Sequence, residues 1–227
     1  MSVGGKAEVY VVDVCGTLVR DDTTLGLLRH HFDSDRARPL RSWLFKAVST
    51  RRSPFWVAFA IAEKMTGRHL LKHFAVRLLA GDRLQAVEQS AREYAEALLL
   101  ERRVPTVWLL LEKPLSGGRV ILASASLEPV VSALATSTGV GYVASKLQHR
   151  AGVLTGRYEN DLTGQKREAL VEKYGEDLLS GQVCVLTDNL TDRSLVQEAA
   201  YSYVVLHDPA HRERWDGVNA TFVEVDG

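Results

Sequence analysis

The sequence predicts an α/β protein: a parallel sheet wound by helices, with an all-helical block inserted after the first strand. Three observations carry this. Short apolar runs recur at 8–13, 119–124, 182–188 and 201–206, the first three ending in polar residues. Helical patterns separate the last three runs, the alternation expected of a wound parallel sheet. Between the first run and the second lie roughly 80 residues with helical spacing and almost no strand signal.

Taken in order, residues 8–13 read as a buried strand that ends in Asp13 and turns through Gly16 and Thr17. In the inserted block, Ser53-Pro54 is a helix start, a capping hydroxyl followed by proline at the first turn, and Gly67 is a stop. Leu84, Val87, Ala91, Tyr94 and Leu98 step by three and four, the spacing of one buried helix face. Residues 104–115 read as a helix with Pro105 near its start and Gly117-Gly118 past its end. A strand at 119–124, a helix at 127–138 and short strands or a hairpin within 141–158 follow. Then come a helix at 165–175, a strand at 182–188, a helix at 190–200 and a strand at 201–206. The organisation expected is a Rossmann-like three-layer core, residues 1–20 and 104–227, with a helical domain at 21–103.

The chain has 46% apolar and 25% charged residues, as in a soluble globular protein. Net charge is zero, so no global field recruits nucleic acid, and electrostatic attraction must be local. The amino terminus has no signal-peptide pattern, and runs such as "FWVAFAIA" at 55–62 are too short to span a bilayer. The two cysteines, Cys15 and Cys184, have no zinc spacing, and reduced thiols in a cytoplasmic protein are expected.

Ligands of such sheets bind at the carboxyl ends of the strands, near the point where strand order reverses. Three strands here end in polar residues: Asp13, Ser124 and Asp188. Asp192 follows one helical turn after Asp188, and Lys166 opens the helix after the hairpin. Carboxylates gathered in one crevice repel unless a cation joins them, and oxygen-only ligands suit magnesium.

With these residues in place the chain resembles the haloacid dehalogenase superfamily, on its phosphoserine-phosphatase-like side. The family's first motif, a strand followed by D-x-D-G-T, stands here as Asp13-Val14-Cys15-Gly16-Thr17. The second is Ser124 in "VILASAS", the third Lys166 in "LTGQKREAL", and the fourth Asp188 and Asp192 in "TDNLTD". All four occur in order, and the inserted helical block resembles the family's cap domain. The resemblance implies a magnesium-dependent phosphate-monoester hydrolase or phosphotransferase acting on a small phosphorylated substrate. It makes Asp13 the nucleophile that becomes an aspartyl-phosphate. Asp13, Asp188, Asp192 and the backbone carbonyl of Cys15 become candidate metal contacts. Ser124, with Ser126 as its rival, holds phosphate oxygens. Lys166 stabilises Asp13 and the transferring group, Asp192 orients Lys166 or a water, and Thr17 shapes the turn.

Cys15 departs from the pattern. In the family's phosphatases this position is an aspartate that protonates the leaving oxygen and later activates water, a kind of group that contributes about 10²–10⁴-fold in rate. A thiol is a poor substitute, so a slow or leaving-group-selective enzyme is expected, with acyl phosphates and phosphoanhydrides suffering least. The family's phosphate-transferring ATPases carry Thr here, and its dehalogenases Tyr. Two alternatives stand beside this reading: a haloacid dehalogenase, against which Asp188 and Asp192 speak, and a non-catalytic phosphate-ligand binder, for which Cys15 speaks.

Four features are left over. His207 and His211 read as surface residues beyond the last core strand, and Cys184 as a core residue. Arg20 and the arginines of the helical block are candidates for a substrate anion. Residues 36–52 carry six basic residues and no acidic one, interrupted by Trp43, Leu44 and Phe45 and followed by Phe55 and Trp56. A solvated face over the cap is the plain reading. The sharper one is contact of 36–56 with a lipid phosphate or a membrane surface.

Overall fold

The computed structural model describes residues 7–34, 38–67, 69–117 and 119–225. Seven strands form one sheet in the order β4-β3-β2-β1-β5-β6-β7. They are β1 (Val9–Val12), β2 (Val120–Leu127), β3 (Gly141–Arg150), β4 (Val153–Asn160), β5 (Val183–Thr187), β6 (Tyr201–Leu206) and β7 (Thr221–Glu224). Neighbours run parallel except β3 and β4, which form the expected hairpin. The central strand β1 pairs with β2 through Tyr10 and Val120 and with β5 through Tyr10 and Cys184. Strand order therefore reverses at β1, and the crevice at its carboxyl end is the switch point.

The middle strands are buried on both faces, which is why they read as continuous apolar runs rather than alternating ones. Val11, Ile121, Val185 and Val204 pack to one side, where α8 (Lys166–Tyr174), the short α9 (Asp177–Ser180) and α10 (Arg193–Glu198) lie. Val12, Leu122, Leu186 and Val205 pack to the other, against α6 (Pro105–Ser116) and α7 (Glu128–Thr138). The result is a three-layer α/β fold of Rossmann type.

The helical block contains α1 (Thr23–Ser34), α2 (Pro39–Ser49), α3 (Pro54–Thr66), α4 (Leu70–Arg77) and α5 (Leu84–Glu101). The chain leaves and re-enters the core side by side: Arg20 N–H donates to Arg102 O at 2.7 Å, and Val104 N–H to Leu18 O at 3.2 Å. Local signals set the helix ends. Ser53 Oγ caps α3 by accepting from Trp56 N–H at 3.0 Å, and Gly67 closes it in the left-handed conformation. Val87, Ala91, Tyr94 and Leu98 of α5 are buried as their spacing predicts. They share one apolar cluster with Leu27, Phe32, Phe45 and Val76 and with the Val12 face of the sheet. The block thus shares the core of the sheet it sits on. One glycine fixes the approach of α4 to β4: a Cβ on Gly156, at φ +74°, would lie 2.8 Å from Arg77 O. A buried carboxylate, Asp82, ties the block together, accepting from Arg38 and, at 2.7 Å, from Arg41, with His31 at 3.4 Å.

Several elements differ from the sequence expectation. β2 runs to Leu127, past Ser124, and its register with β3 shifts between those two residues. The helix expected at 190–200 is a 3-10 turn, Leu190–Asp192, followed by the short α10. A 3-10 segment at Pro209–Trp215 and β7 follow β6, so β6 is not the last core strand. α9 and β7, four residues each, carry too little pattern to be read from sequence. Arg36 and Gly118 lie outside the described residues. Among the described residues no helix is long and apolar enough to cross a membrane.

Candidate active site

Asp13 leaves β1 at the switch point and is 5% exposed. Its two oxygens differ. Oδ1 accepts from Val14 N–H at 2.7 Å and lies 2.9 Å from Lys166 Nζ, whereas Oδ2 has no hydrogen bond among the described residues. Lys166, at the first turn of α8, donates also to Asp192 Oδ2 at 2.7 Å, and the Thr187 hydroxyl donates to that same oxygen at 2.7 Å. Asp192 thus holds Lys166 in place, and Lys166 bridges it to Asp13.

Asp188 follows β5, next to β1 in the sheet. Thr17 Oγ1 donates to its Oδ1 at 3.0 Å, which joins the turn after Asp13 to the end of β5. Gly16 makes this approach possible. Its φ is +71°, and a Cβ there would lie 2.1 Å from Asp188 Oδ2.

The Cys15 side chain turns to the opposite wall. Its sulfur lies 3.0 Å from both the Thr23 and the Ser126 hydroxyl oxygens, and Thr23 Oγ1 donates to Ser126 Oγ at 2.6 Å. The thiol, the start of α1 and the end of β2 therefore form one polar triangle. Ser124 is deeply buried, and its hydroxyl oxygen accepts from Ser126 N–H at 3.2 Å, which leaves its own proton free to donate.

Burial pushes the Asp13 carboxyl up to about 7; Lys166 opposes this, while Asp192 and Asp188 add to it. Asp188 is raised as well, mainly by burial, against the Thr17 hydrogen bond. Burial disfavours the Lys166 ammonium, but Asp13 and Asp192 outweigh it and its pKa is raised. Cys15 is pushed up to about 11 by burial, then by Asp22 and Asp13, so it is a neutral thiol at neutral pH. Two buried carboxylates, Asp13 and Asp192, thus share one ammonium, with the half-buried Asp188 beside them. That charge imbalance, together with an all-oxygen donor set, fits a divalent cation at Asp13 and Asp188. Among the described residues no three His, Cys, Asp or Glu side chains converge as a ready-made metal cage. A magnesium ion held by one or two carboxylates plus a backbone carbonyl, water and substrate phosphate needs none.

These residues line a cleft of about 750 Å³. The structure brings Asp13, Cys15, Ser124, Lys166 and Asp188 to its wall, with Arg20 beside them. Arg20 Nε is buried without a hydrogen-bond partner. Thr17 and Asp192 stand behind the wall and act on Asp188 and Lys166. Sequence reasoning missed three contributors. His207, expected at the surface beyond the last strand, hydrogen-bonds through Nε2 to Gly16 O at 2.6 Å and lies 3.9 Å from Asp188 Oδ2. It follows β6 directly, so the strand-end rule that singled out Asp13 and Asp188 applied to it too. Arg214 lines the cleft from the unread 3-10 segment. Lys72 of α4 reaches in from the helical block, donating to Ala125 O at 2.7 Å and to Asp161 and Thr163 at 3.2 Å. No local pattern distinguishes Lys72 from a surface lysine.

Comparison with known proteins identifies the family and the fold. Residues 11–197 match the haloacid dehalogenase-like hydrolases, and the chain belongs to that family. Among solved structures, a protein of unknown function from Bordetella pertussis Tohama I superposes with a TM-score of 0.72 at 16% identity, over 94% of this chain and 97% of that one. Cytosolic 5′-nucleotidase IIIB bound to cytidine gives 0.62 at 16% identity, over 95% and 80%. A phosphoserine phosphatase in its apo form gives 0.56 at 16% identity, over 96% and 94%. At such identities these likenesses establish the shared fold. No curated protein matches the sequence.

Proposed function

We propose that the protein is a magnesium-dependent phosphate-monoester hydrolase or phosphotransferase that works through an aspartyl-phosphate on Asp13. The observation that carries the reading is the asymmetry of Asp13: one oxygen is fixed by Val14 N–H and Lys166, and the other is free of hydrogen bonds. Oδ2 attacks phosphorus, the bond to the leaving oxygen breaks, and that oxygen leaves with the electron pair and takes its proton from solvent. Water then attacks the phosphorus, the P–Oδ2 bond breaks, and inorganic phosphate leaves with Asp13 restored; in the phosphotransferase case an acceptor alcohol replaces water. Lys166, held by Asp192, faces the charge that develops on the phosphoryl oxygens, and the Ser124 hydroxyl donates to one of them. Asp13, Asp188 and the Cys15 carbonyl would hold magnesium, which would supply neutralisation of the phosphate charge. The helical block 21–103 acts as the cap: His69, just before α4, and Lys72 of α4 line the cleft together with Asp188 and His207. Two free cysteines accord with the cytoplasmic placement expected from the sequence.

Cys15 decides the rate. Its thiol is neutral and engaged by Thr23 and Ser126, so it offers no carboxylic acid to the leaving oxygen and no base to water. Good leaving groups need little acid, so acyl and aryl phosphates are the favoured small substrates, with a lipid phosphate as a further candidate. The engaged thiol also favours a second reading, a phosphate-ligand binder that does not turn over.

Hydrolysis of an aryl and an alkyl phosphate by wild type, Asp13→Asn and Cys15→Asp, with magnesium or chelator, separates these. The proposal expects magnesium-dependent aryl phosphate hydrolysis that Asp13→Asn abolishes. It expects Cys15→Asp to raise the alkyl rate by about 10²-fold, the low end of what such a group contributes. Metal-independent activity on a haloacid would point to the dehalogenase instead. Phosphate binding without turnover, with turnover restored by Cys15→Asp, would establish the binder.

A further inference from the structure

α3 is the most apolar helix of the inserted block, yet none of its residues is buried. Val57, Ile61 and Met65 recur at i, i+4 and i+8 and form one outward row, with Ile61 57% and Met65 81% exposed. Phe55, in the first turn of α3, is 56% exposed, and Trp43 on the neighbouring α2 is 60% exposed. Aqueous solvent gives such a row nothing to pack against, and contiguous apolar patches of this kind mark interaction surfaces.

Charge says what covers it. Residues 38–67 hold six basic residues, Arg38, Arg41, Lys46, Arg51, Arg52 and Lys64, and one acidic residue, Glu63, in a chain of zero net charge. Arg38 and Arg41 are spent on Asp82, and Lys46 on Asp33. Arg51, Arg52 and Lys64 are exposed and have no carboxylate partner among the described residues. They flank the apolar row: the two arginines precede the first turn of α3, and Lys64 lies in its last. Arg52 takes a φ of +70°, a conformation that favours glycine, so a cation is held where the backbone alone would select against it. Glu63, the one counter-charge, is turned inward to accept from Leu71 N–H at 2.9 Å.

We infer that the α2–α3 face docks on an anionic lipid bilayer, α3 lying in the interface with Val57, Ile61 and Met65 inserted and Arg51, Arg52 and Lys64 at the level of the lipid phosphates. Apolar residues on one side, cations at both ends and an exposed tryptophan are what a helix lying in a membrane surface needs. A protein partner would meet the same apolar row, but a cationic rim with no carboxylate opposite it is complementary to a sheet of phosphates. The inference is independent of the chemistry proposed for Asp13.

Co-sedimentation of the full chain with phosphatidylcholine vesicles, pure or rich in phosphatidylglycerol, tests it. Wild type is expected to pellet with the anionic vesicles and to stay in solution with the neutral ones. Arg51→Ser/Arg52→Gly, which relieves the backbone at position 52, is expected to weaken binding roughly tenfold or more, as is Ile61→Glu/Met65→Glu. Neither pair supports the core, so melting temperature and hydrolysis of a soluble aryl phosphate should be unchanged. A wild type that stays in solution with anionic vesicles would overturn the inference, as would binding that either double variant leaves intact. A concentration-dependent dimer that Ile61→Glu/Met65→Glu abolishes, without vesicle binding, would assign the face to a second copy of the chain.

Discussion

At position 13 a carboxylate is held where it is costly to ionise. Burial and the neighbouring Asp192 and Asp188 raise Asp13 to about 7, against Lys166. The sign follows from linkage. A carboxyl whose folded pKa lies above its unfolded value contributes stability below that unfolded value, and loses it as pH rises through the folded one. Above about 7 the metal-free fold therefore carries an uncompensated charge, which a cation at Asp13 and Asp188 would relieve. At lower pH the same cation must first displace a proton. Thermal melts with and without magnesium should accordingly show a larger stabilisation at about pH 8 than at about pH 5.5. Equal shifts, or none, would mean that the cation does not bind at these carboxylates. Cys15 has a different constraint. Its thiol is neutral and engaged by Thr23 and Ser126, so under the proposed function it is the residue least compatible with rapid turnover.

At the scale of elements, four candidate groups are placed by a strand end or a first helical turn. β1, β5 and β6 deliver Asp13, Asp188 and His207, and α8 delivers Lys166. The helical block is positioned by polar anchors as well as by packing. Asp82, 7% exposed, collects Arg38, Arg41 and His31 from α1, α2 and the turn before α2. Burial raises its carboxyl, but the His31 hydrogen bond and Arg41 hold it below the ordinary range. Its contribution is thus present above the unfolded carboxylate pKa and is lost as pH falls through the folded one. Asp82→Ala should cost about 1.5–3 kcal/mol in denaturant unfolding at neutral pH, the range for hydrogen bonds to a charged group. The deficit against wild type should shrink in acid. A deficit that is the same at both pH values would place the cost in packing rather than in charge.

At the scale of the whole molecule, what was legible in the sequence is what periodicity and strand-end chemistry encode. The apolar runs of β1, β2, β5 and β6 are largely buried strands, β5 at every position. The α5 face and the Ser53 and Gly67 ends of α3 carry their own local signals. Asp13, Asp188 and Lys166 could be picked out because parallel sheets gather such groups at one edge. What was not legible depends on long-range placement. Lys72 is one lysine among many until α4 folds against β4, and the triangle of Cys15, Thr23 and Ser126 joins residues 111 apart in sequence. His207 is exposed as expected, but its place at the cleft, after an interior strand, was not legible because β7 is too short to announce that β6 is interior. The basic stretch at 36–52 was only half informative. Arg38, Arg41 and Lys46 turn out to serve Asp82 and Asp33, while Arg51 and Arg52 lead into the apolar α3, which has no helical stripe contrast to flag it.

The central claim is that Asp13 is phosphorylated and that Cys15 slows its release. Mass spectrometry of the protein quenched in acid after brief mixing with an acyl phosphate and magnesium tests this most directly, with peptide mapping of 9–20. The account predicts a phosphoryl adduct on Asp13 that accumulates in wild type, is absent from Asp13→Asn, and falls to a small fraction in Cys15→Asp, where a restored base hastens hydrolysis. An adduct on another residue, or phosphate release at wild-type rate from Asp13→Asn, would contradict it.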